Sequence, residues 1–248
     1  MNTELRLDQL ANFRHKLTRF MMSYKFALQE METKVEILKE EFHLLHDYNP
    51  IEHTKSRLKS PESIMKKLYR KNYEVSLAGI RQNIRDIAGL RITCSFISDI
   101  YRVSEMLSNH DDLTIVEVKD YIKYPKPNGY RSLHLLIEVP VFMSDHQERV
   151  CVEVQIRTIA MDFWASLEHK IFYKFDRAVP SQLTEELKIA ADTATALDHR
   201  MERLHTEIKE IKEEHAEKDM LEMQQIILSN QHISIPSALL QLLDEGSN

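Results

Sequence analysis

The stretch VCVEVQIR, residues 150–157, decides the fold class, because apolar and polar residues alternate along it without a break. Alternation with a period of two is typical of a β-strand that buries one of its faces. Residues 90–97 and 130–139 predict strands of the same kind, and residues 51–58 and 114–121 are less regular candidates. The middle of the chain is therefore predicted to contain a β-sheet.

Helices are predicted around and between these strands, because apolar residues there recur every three or four positions. Two long helices are expected at residues 7–46 and 181–228, and shorter ones at 61–71, 77–85, 100–109 and 159–173. We therefore predict an α+β (mixed α/β) fold, with a mixed β-sheet between long N- and C-terminal helices. The predicted division is an N-terminal helical flank at 1–48, a core at 49–178 and a C-terminal helical flank at 179–248, whose tail after Ser229 is expected to fray.

Composition narrows the possible function classes. The 248 residues are 43% hydrophobic, which is enough for one sizeable core. No leader and no long apolar run is visible, so we expect a cytoplasmic protein without a membrane span. A net charge of −6 makes nucleic acid an unlikely partner, since its binding relies on neutralising many phosphates. Cys94 and Cys151 lie in separate strand-like stretches and are expected to stay reduced.

The four glycines form neither of the usual phosphate-binding motifs, GxxxxGK[ST] and GxGxxG. Any bound phosphate must therefore be held by side chains. Ser60 is a suitable N-cap and Pro61 suits the first helical turn, so Arg57 and Lys59 come directly before a helix N-terminus. That combination favours an anion.

The helix that follows continues this basic patch. Ser63 and Lys67 are four residues apart on one face with Arg70 nearby, while Ile64 and Leu68 occupy the opposite face. A triphosphate could lie along the polar face. The alternative is an amphipathic helix with ordinary surface lysines.

Two acids suggest a metal ion near the basic patch. Asp86 precedes the strand at 90–97, and Glu153 lies on the polar face of the strand at 150–157. Magnesium prefers oxygen ligands and usually keeps waters and substrate phosphates in its coordination shell, so two carboxylates could be sufficient. Each acid also has a simpler interpretation, in which Asp86 pairs with Arg85 or Arg91 and Glu153 pairs with Arg157.

The turn KYPKPNGY, residues 123–130, is stiffened by two prolines, and its Asn-Gly pair supplies a positive φ. It would present Tyr130 as an exposed ring that can stack on a purine, with the amide of Asn128 available to a base edge. The helix at 159–173 is predicted to pack on the sheet through a group of core residues: Phe163, Trp164, Leu167, Ile171 and Phe172.

Four motifs, in this order and spacing, resemble the synthetase domain of RelA/SpoT-type enzymes: SRLK at 56–59 with Ser63, RDIAGLR at 85–91, NGYRSLH at 128–134 and VEVQIRT at 152–158. No hydrolase-type HD motif accompanies them. The chain is therefore similar to small alarmone synthetases. The resemblance implies a nucleotidyltransferase-like mixed sheet and transfer of the pyrophosphate of ATP to the 3′-hydroxyl of GDP or GTP, with GMP as a further acceptor. It also implies a homotetramer.

The resemblance implies residue roles by position. Arg57 and Arg91 would sandwich the adenine, and Asp86 and Glu153 would hold Mg²⁺, with Glu153 also acting as the base. The residues expected to grip the ATP phosphates are Lys59, Ser63, Lys67 and Arg70. Those expected to bind the guanine nucleotide are Lys126, Asn128, Tyr130, His134 and Gln155.

Three other functions are compatible with parts of this pattern. The chain could be a sensor that binds nucleotides without turnover, or a nucleotidyltransferase that transfers AMP and releases pyrophosphate. It could also be an RNA-binding or scaffold protein that uses its long helices, which the negative charge disfavours. The identity of the leaving group separates AMP transfer from the predicted pyrophosphate transfer, and binding of nucleotides without either product would indicate the sensor.

Overall fold

The structure of the chain is a computed structural model, and it describes residues 2–46, 48–172 and 180–229. A five-stranded mixed sheet forms its centre, in the order β1-β2-β5-β4-β3. The β2–β5 pair is parallel and the other neighbouring pairs are antiparallel. The strands are β1 Ile51–Leu58, β2 Ala88–Cys94, β3 Thr114–Asp120, β4 Leu133–Phe142 and β5 Gln147–Thr158. The predicted fold class is confirmed, and the stretch VCVEVQIR lies in β5 at the middle of the sheet.

Six helices are found among the described residues. They are α1 Asn2–Leu45, α2 Pro61–Lys71, α3 Leu77–Asn83, α4 Ile97–Ser108, α5 Ile159–Phe172 and α6 Ser181–Ser229. Ser60 caps α2 as expected, since its Oγ accepts from the backbone N–H of Ser63 at 3.3 Å. None of the described helices is both long enough and apolar enough to cross a membrane.

Two of the strands predicted near the site have wrong boundaries. The strand predicted at 90–97 ends at Cys94, and α4 begins at Ile97 because Asp99 in its first turn accepts from the backbone N–H of Phe96 at 3.1 Å. The strand predicted from Tyr130 begins only at Leu133. Its first residues belong to the preceding turn, where the carbonyl of Tyr130 accepts from the N–H of Lys126 at 3.2 Å.

The N-terminal helix belongs to the same core as the sheet. α1 buries one stripe of side chains, which are Phe20, Tyr24, Ala27, Leu28, Met31 and Val35. These residues cluster with the apolar sides of β2, β4 and β5 and with the buried side chains of α2 and α4. Removal of this apolar surface from water is the main stabilising contribution to the arrangement. The predicted flank at residues 1–48 therefore supplies part of the central core.

The predicted packing of α5 is largely wrong. Trp164 is buried, and its indole N–H donates to the carbonyl of Leu187 in α6 at 3.1 Å. Phe163, Leu167 and Ile171, in contrast, are 65%, 39% and 63% exposed. These three recur every four residues on a different face of the helix from Trp164, and a helix buries only the stripe that faces its neighbours. The side chain of Phe172 lies outside the described residues.

The chain divides into two compact units, Met1–Arg200 and Met201–Asn248. The first contains the sheet, helices α1 to α5 and the beginning of α6. The division predicted from the sequence, into two helical flanks and a core, differs from these two units and stays a prediction. The tail after Ser229, which was expected to fray, lies outside the described residues. Cys94 and Cys151 are both free thiols, as expected.

Gly129 is required by both backbone conformation and space. Its φ is +88°, and a Cβ added there would lie 2.5 Å from the Cβ of Ala191 in α6. We expect Gly129→Ala to lower the free energy of unfolding by about 2 kcal/mol, measured by urea denaturation. Gly89→Ala is the matched control, because its nearest neighbour would be the carbonyl oxygen of Arg57 at 3.8 Å. Equal losses of stability in the two variants would contradict this account of the turn.

Candidate active site

Strand register brings the predicted site residues into two rows across the polar face of the sheet. In one row Arg57 pairs with Gly89, which pairs with Glu153. In the neighbouring row Arg91 pairs with Gln155 on the next strand, and the same row runs on to Lys55 on one side and His134 on the other. Side chains at alternate positions of paired strands point to the same face, so charged and polar groups from four strands converge there.

A cavity of about 290 Å³ opens over these rows. Gly89 has no side chain, so the space between Arg57 and Glu153 stays open. Six predicted site residues line the cavity, namely Arg57, Lys59, Asp86, Arg91, Glu153 and Gln155, together with Lys55, Gly89 and Leu90. Three of the predicted donor-side residues, Arg57, Lys59 and Arg91, therefore share one cleft with the two predicted metal ligands.

Asp86 is held by two lysines and not by the arginines of the simpler interpretation. Its Oδ2 lies 2.5 Å from Nζ of Lys59, and its Oδ1 lies 2.8 Å from Nζ of Lys67. Burial acts to raise the pKa of Asp86, but the hydrogen bonds and charges of the two lysines outweigh it and hold the pKa below its ordinary value. Asp86 is thus a carboxylate at neutral pH.

Glu153 is held by Gln155 and His134 and not by Arg157. Nε2 of Gln155 donates to its Oε2 at 2.9 Å, and Nδ1 of His134 lies 3.5 Å from its Oε1. Burial acts to raise its pKa, whereas the contacts with His134 and Gln155 lower it to a value below the ordinary one. The negative charge of Asp86 acts in the opposite direction on the pKa of Glu153, so the two carboxylates interact across the cleft.

Tyr130 is half-buried, whereas the sequence predicted an exposed ring. Its hydroxyl accepts from Arg157 at 2.7 Å and lies 2.8 Å from Nε2 of His134. Burial raises the pKa of Tyr130, so the hydroxyl keeps its proton and can donate it to Nε2. The other ring nitrogen of His134, Nδ1, faces Glu153, so the imidazole lies between the Tyr130 hydroxyl and the Glu153 carboxylate.

The other predicted acceptor residues surround Tyr130. The Nζ of Lys126 lies 4.6 Å from the centre of the Tyr130 ring and 4.6 Å from that of Tyr121, which are cation–π distances. The Oδ1 of Asn128 accepts from the backbone N–H of Tyr130 at 3.2 Å, and its Nδ2 lies 3.4 Å from Oε1 of Glu168. The amide of Asn128 therefore contributes to the turn.

Three predicted phosphate ligands, Ser63, Lys67 and Arg70, are not among the residues that line the cavity. Ser63 is half-buried in the first turn of α2, where its Oγ accepts from Ser60 at 3.1 Å. Arg70 is exposed in the last turn of the same helix. Both lie on α2 with Lys67, which reaches the site through Asp86.

Sequence reasoning missed Asp162 on α5. One oxygen of this carboxylate, Oδ1, lies 2.9 Å from Arg91 and 3.0 Å from Arg157. Arg157 then contacts Tyr130 and Gln155, so a continuous chain of polar contacts connects the two halves of the site. The sequence did contain a signal for this residue. β5 ends at Thr158 and α5 begins at Ile159, so Asp162 is an acidic residue in the first turn of the helix that directly follows VEVQIRT.

The two carboxylates fit a magnesium ion better than a transition metal. Within the described ranges 2–46, 48–172 and 180–229, no group of three or more His, Cys, Asp or Glu could hold a metal. Asp86 and Glu153 offer hard oxygen ligands, and their mutual repulsion is the kind of conflict that a cation between them would relieve. A pair of carboxylates suits Mg²⁺, which completes its shell with waters and substrate phosphates.

Comparison with known proteins identifies the family of the chain. Residues 56–178 match the region found in RelA and SpoT proteins. The chain is 55% identical over 202 residues to GTP pyrophosphokinase YwaC of Bacillus subtilis, covering 82% of this chain and 96% of that protein. It is 38% identical to GTP pyrophosphokinase YjbM of the same organism, over 77% and 90% of the two chains. The chain belongs to the RelA/SpoT family.

Solved structures give the same result. The crystal structure of small alarmone synthetase 2 from Bacillus subtilis has a TM-score of 0.70 at 56% identity and covers 77% of this chain and 98% of its own. Small alarmone synthetase 1 from the same organism, bound to its product pppGpp, has a TM-score of 0.72 at 37% identity, over 78% and 98% of the chains. The predicted resemblance to small alarmone synthetases is confirmed.

The position of Asp162 gives a stability prediction. Its side chain is 18% exposed and that of Arg157 is 5% exposed, so Asp162→Asn would leave a buried guanidinium without its carboxylate. We expect the free energy of unfolding to fall by about 2 kcal/mol in urea denaturation. Asp145→Asn is the control, because it removes the carboxylate from an exposed pair with Arg19 and should change stability little. A loss no larger than that of the control would rule out the buried pair as a stabilising contact.

Proposed function

We propose that this protein is a GTP pyrophosphokinase that transfers the β,γ-pyrophosphate of ATP to the ribose 3′-hydroxyl of GDP or GTP and releases AMP. GMP is a further proposed acceptor. The observation that carries the proposal is the cleft in which Asp86 and Glu153 interact among the cations of β1, β2 and α2. The 55% identity to a GTP pyrophosphokinase over 96% of its length supports the same reaction.

The donor nucleotide would bind at the β1–β2 end of the cleft. Arg57 and Arg91 line the cavity from neighbouring strands and could cover the two faces of the adenine. The N-terminus of α2 and the ammonium groups of Lys59 and Lys67 would hold the triphosphate, with Ser63 and Arg70 on the same helix. Positioned cations of this kind stabilise the charge that develops during phosphoryl transfer.

The acceptor nucleotide would bind at the β4–β5 end. Tyr130 would stack on the guanine, with Lys126 and Asn128 near the base edge and with His134 and Gln155 directing the ribose. The ring of Tyr130 already lies near Lys126 and Arg157, so a base would replace or join a cation at its face. The half-buried position fixes the ring in place before the base arrives.

Transfer then needs one proton acceptor and good alignment. Glu153 is ionised at neutral pH because its pKa is lowered, so it can accept the proton of the 3′-hydroxyl. The 3′-oxygen forms a bond to the β-phosphorus as the bond from that phosphorus to the α,β-bridging oxygen breaks, and AMP leaves with that oxygen. Mg²⁺ bound by Asp86 and Glu153 would neutralise phosphate charge. We also propose a cytoplasmic location. We do not expect this chain to hydrolyse the product, since no hydrolase-type motif was found in the sequence.

A product assay tests the reaction directly. Incubation with ATP, GDP and Mg²⁺ should yield AMP and a guanosine tetraphosphate in equal amounts, resolved by anion-exchange chromatography. Pyrophosphate in place of AMP would indicate an adenylyl transferase, and binding of both nucleotides without either product would indicate a sensor. Salt-sensitive RNA affinity without turnover would favour the RNA-binding alternative.

Two substitutions separate chemistry from binding. Glu153→Gln should lower kcat by at least about 100-fold while nucleotide affinity changes little, because the amide cannot accept the proton. Tyr130→Ala should mainly raise the KM for the acceptor, since it removes the stacking ring. Steady-state kinetics with ATP and GDP varied in turn would check both. Equal kinetics in the two variants would refute the assigned roles.

We also propose a homo-oligomer, with the homotetramer of the family resemblance as the specific expectation. The second compact unit, taken by itself, supports it: Met201, Leu204, Ile208 and Ile211 recur at intervals of three and four residues along α6 and are 47–54% exposed. Such a stripe is typical of a helix that packs on another helix.

The role of this stripe in subunit contact can be tested by introducing a charged residue into it. Ile208→Lys should reduce the solution mass measured by multi-angle light scattering, because a buried ammonium would oppose helix pairing. Lys209→Ala is the control on the adjacent face, where Lys209 forms an exposed pair with Glu213. An unchanged mass for Ile208→Lys would exclude the stripe as the subunit contact.

A further inference from the structure

Both oxygens of the predicted metal ligand Asp86 are occupied by ammonium groups. Lys59 contacts Oδ2 at 2.5 Å and Lys67 contacts Oδ1 at 2.8 Å. The two lysine side chains are only 11% and 28% exposed, so water screens these pairs weakly. A divalent ion that approached Asp86 in this arrangement would meet two positive charges at contact distance.

The fold holds both lysines in place. Lys59 directly follows β1, and its backbone N–H donates to the carbonyl of Ile87 at 2.8 Å, which keeps it beside Asp86. Lys67 lies on α2, whose orientation is fixed by the Ser60 cap and by Leu68, which is fully buried in the core. The two ammonium groups therefore reach one carboxylate from two separately anchored elements.

Glu153, the second predicted ligand, is also engaged. Gln155 donates to one of its oxygens at 2.9 Å, and His134 lies 3.5 Å from the other. The donor to Glu153 at hydrogen-bond distance is neutral, whereas both partners of Asp86 are cations. The electrostatic obstacle to a metal ion is therefore concentrated at Asp86 and its two lysines.

We propose that Lys59 and Lys67 keep the metal site closed, and that a nucleoside triphosphate opens it by drawing their ammonium groups from Asp86 to its phosphate oxygens. This inference rests on the donor site of the proposed function. The triphosphate offers several anionic oxygens where Asp86 offers two, so the exchange leaves the lysines paired and frees the carboxylate. The divalent ion and the triphosphate then bind with positive coupling, and each raises the affinity of the other by the same factor.

This exchange predicts that a single substitution changes nucleotide affinity and metal affinity in opposite directions. If Lys67 only bound phosphate, its removal would weaken nucleotide binding and leave metal binding unchanged. If it also shields Asp86, its removal weakens nucleotide binding and strengthens metal binding by the protein alone. The second pattern cannot come from a general loss of structure, because a damaged site would bind both more weakly.

The test measures binding of Mn²⁺, a paramagnetic substitute for Mg²⁺, by electron paramagnetic resonance of the free ion. In the absence of nucleotide, Lys67→Met should bind Mn²⁺ at least about fivefold more tightly than the unmodified protein. A factor of about five is the low end of the usual coupling between two binding sites. AMPCPP, an ATP analogue, should tighten Mn²⁺ binding by the unmodified protein, and by less in the variant. Lys59→Met should show the same changes in Mn²⁺ binding, and it replaces Lys67→Met in the test if that variant proves unstable.

Two controls define the charge effect. Lys66→Met removes a neighbouring exposed lysine of the same helix and should leave Mn²⁺ affinity unchanged. Lys67→Arg keeps the positive charge and should keep Mn²⁺ binding weak. Unchanged Mn²⁺ affinity in both methionine variants, with weaker AMPCPP binding, would overturn the inference. Because no turnover is needed, this failure is distinguishable from absence of product in the assay of the proposed function.

Discussion

The parallel pairing of β2 with β5 is the constraint on which the rest of the site depends. It sets Gly89 opposite Glu153 and Arg91 opposite Gln155, so the cleft opens where a residue without a side chain meets the proposed base. A slip of one residue would turn the polar side chains into the core and the apolar ones out to solvent. The buried side of both strands, which is almost free of solvent contact, therefore fixes the geometry of the polar side.

Charge compensation is the second feature of the cleft. Asp86 is neutralised by two lysines, whereas Glu153 is supported by an amide and an imidazole. Both carboxylates are ionised, yet their surroundings differ in net charge. The first is suited to exchange its partners when a polyanion binds, and the second to receive a proton. One pocket can thus combine an end that neutralises phosphate charge with an end that accepts a proton. Transfer between two anionic nucleotides requires both.

Helix α5 connects these ends, although none of its described side chains lines the cavity. Asp162 contacts Arg91 on the donor side and Arg157 in the interior, and Arg157 contacts Tyr130 on the acceptor side. Hydrogen bonds in such a chain polarise one another in a poorly solvated environment. The orientation of the acceptor-side ring is therefore coupled to that of a donor-side arginine through a residue that neither nucleotide needs to touch.

The sequence by itself determined the elements and the polar face of the sheet. The alternation in VCVEVQIR, the Ser60 cap and the positive φ at Gly129 are local properties, and each is found where the sequence predicted it. The order of the four motifs also identified the family. Only the tertiary structure decided the partners of the charged groups, the first residue of β4 and the exposed face of α5. Asp86 pairs with lysines because β1 and α2 pack beside it, and such proximity between distant segments depends on packing of the whole core, which no local pattern specifies.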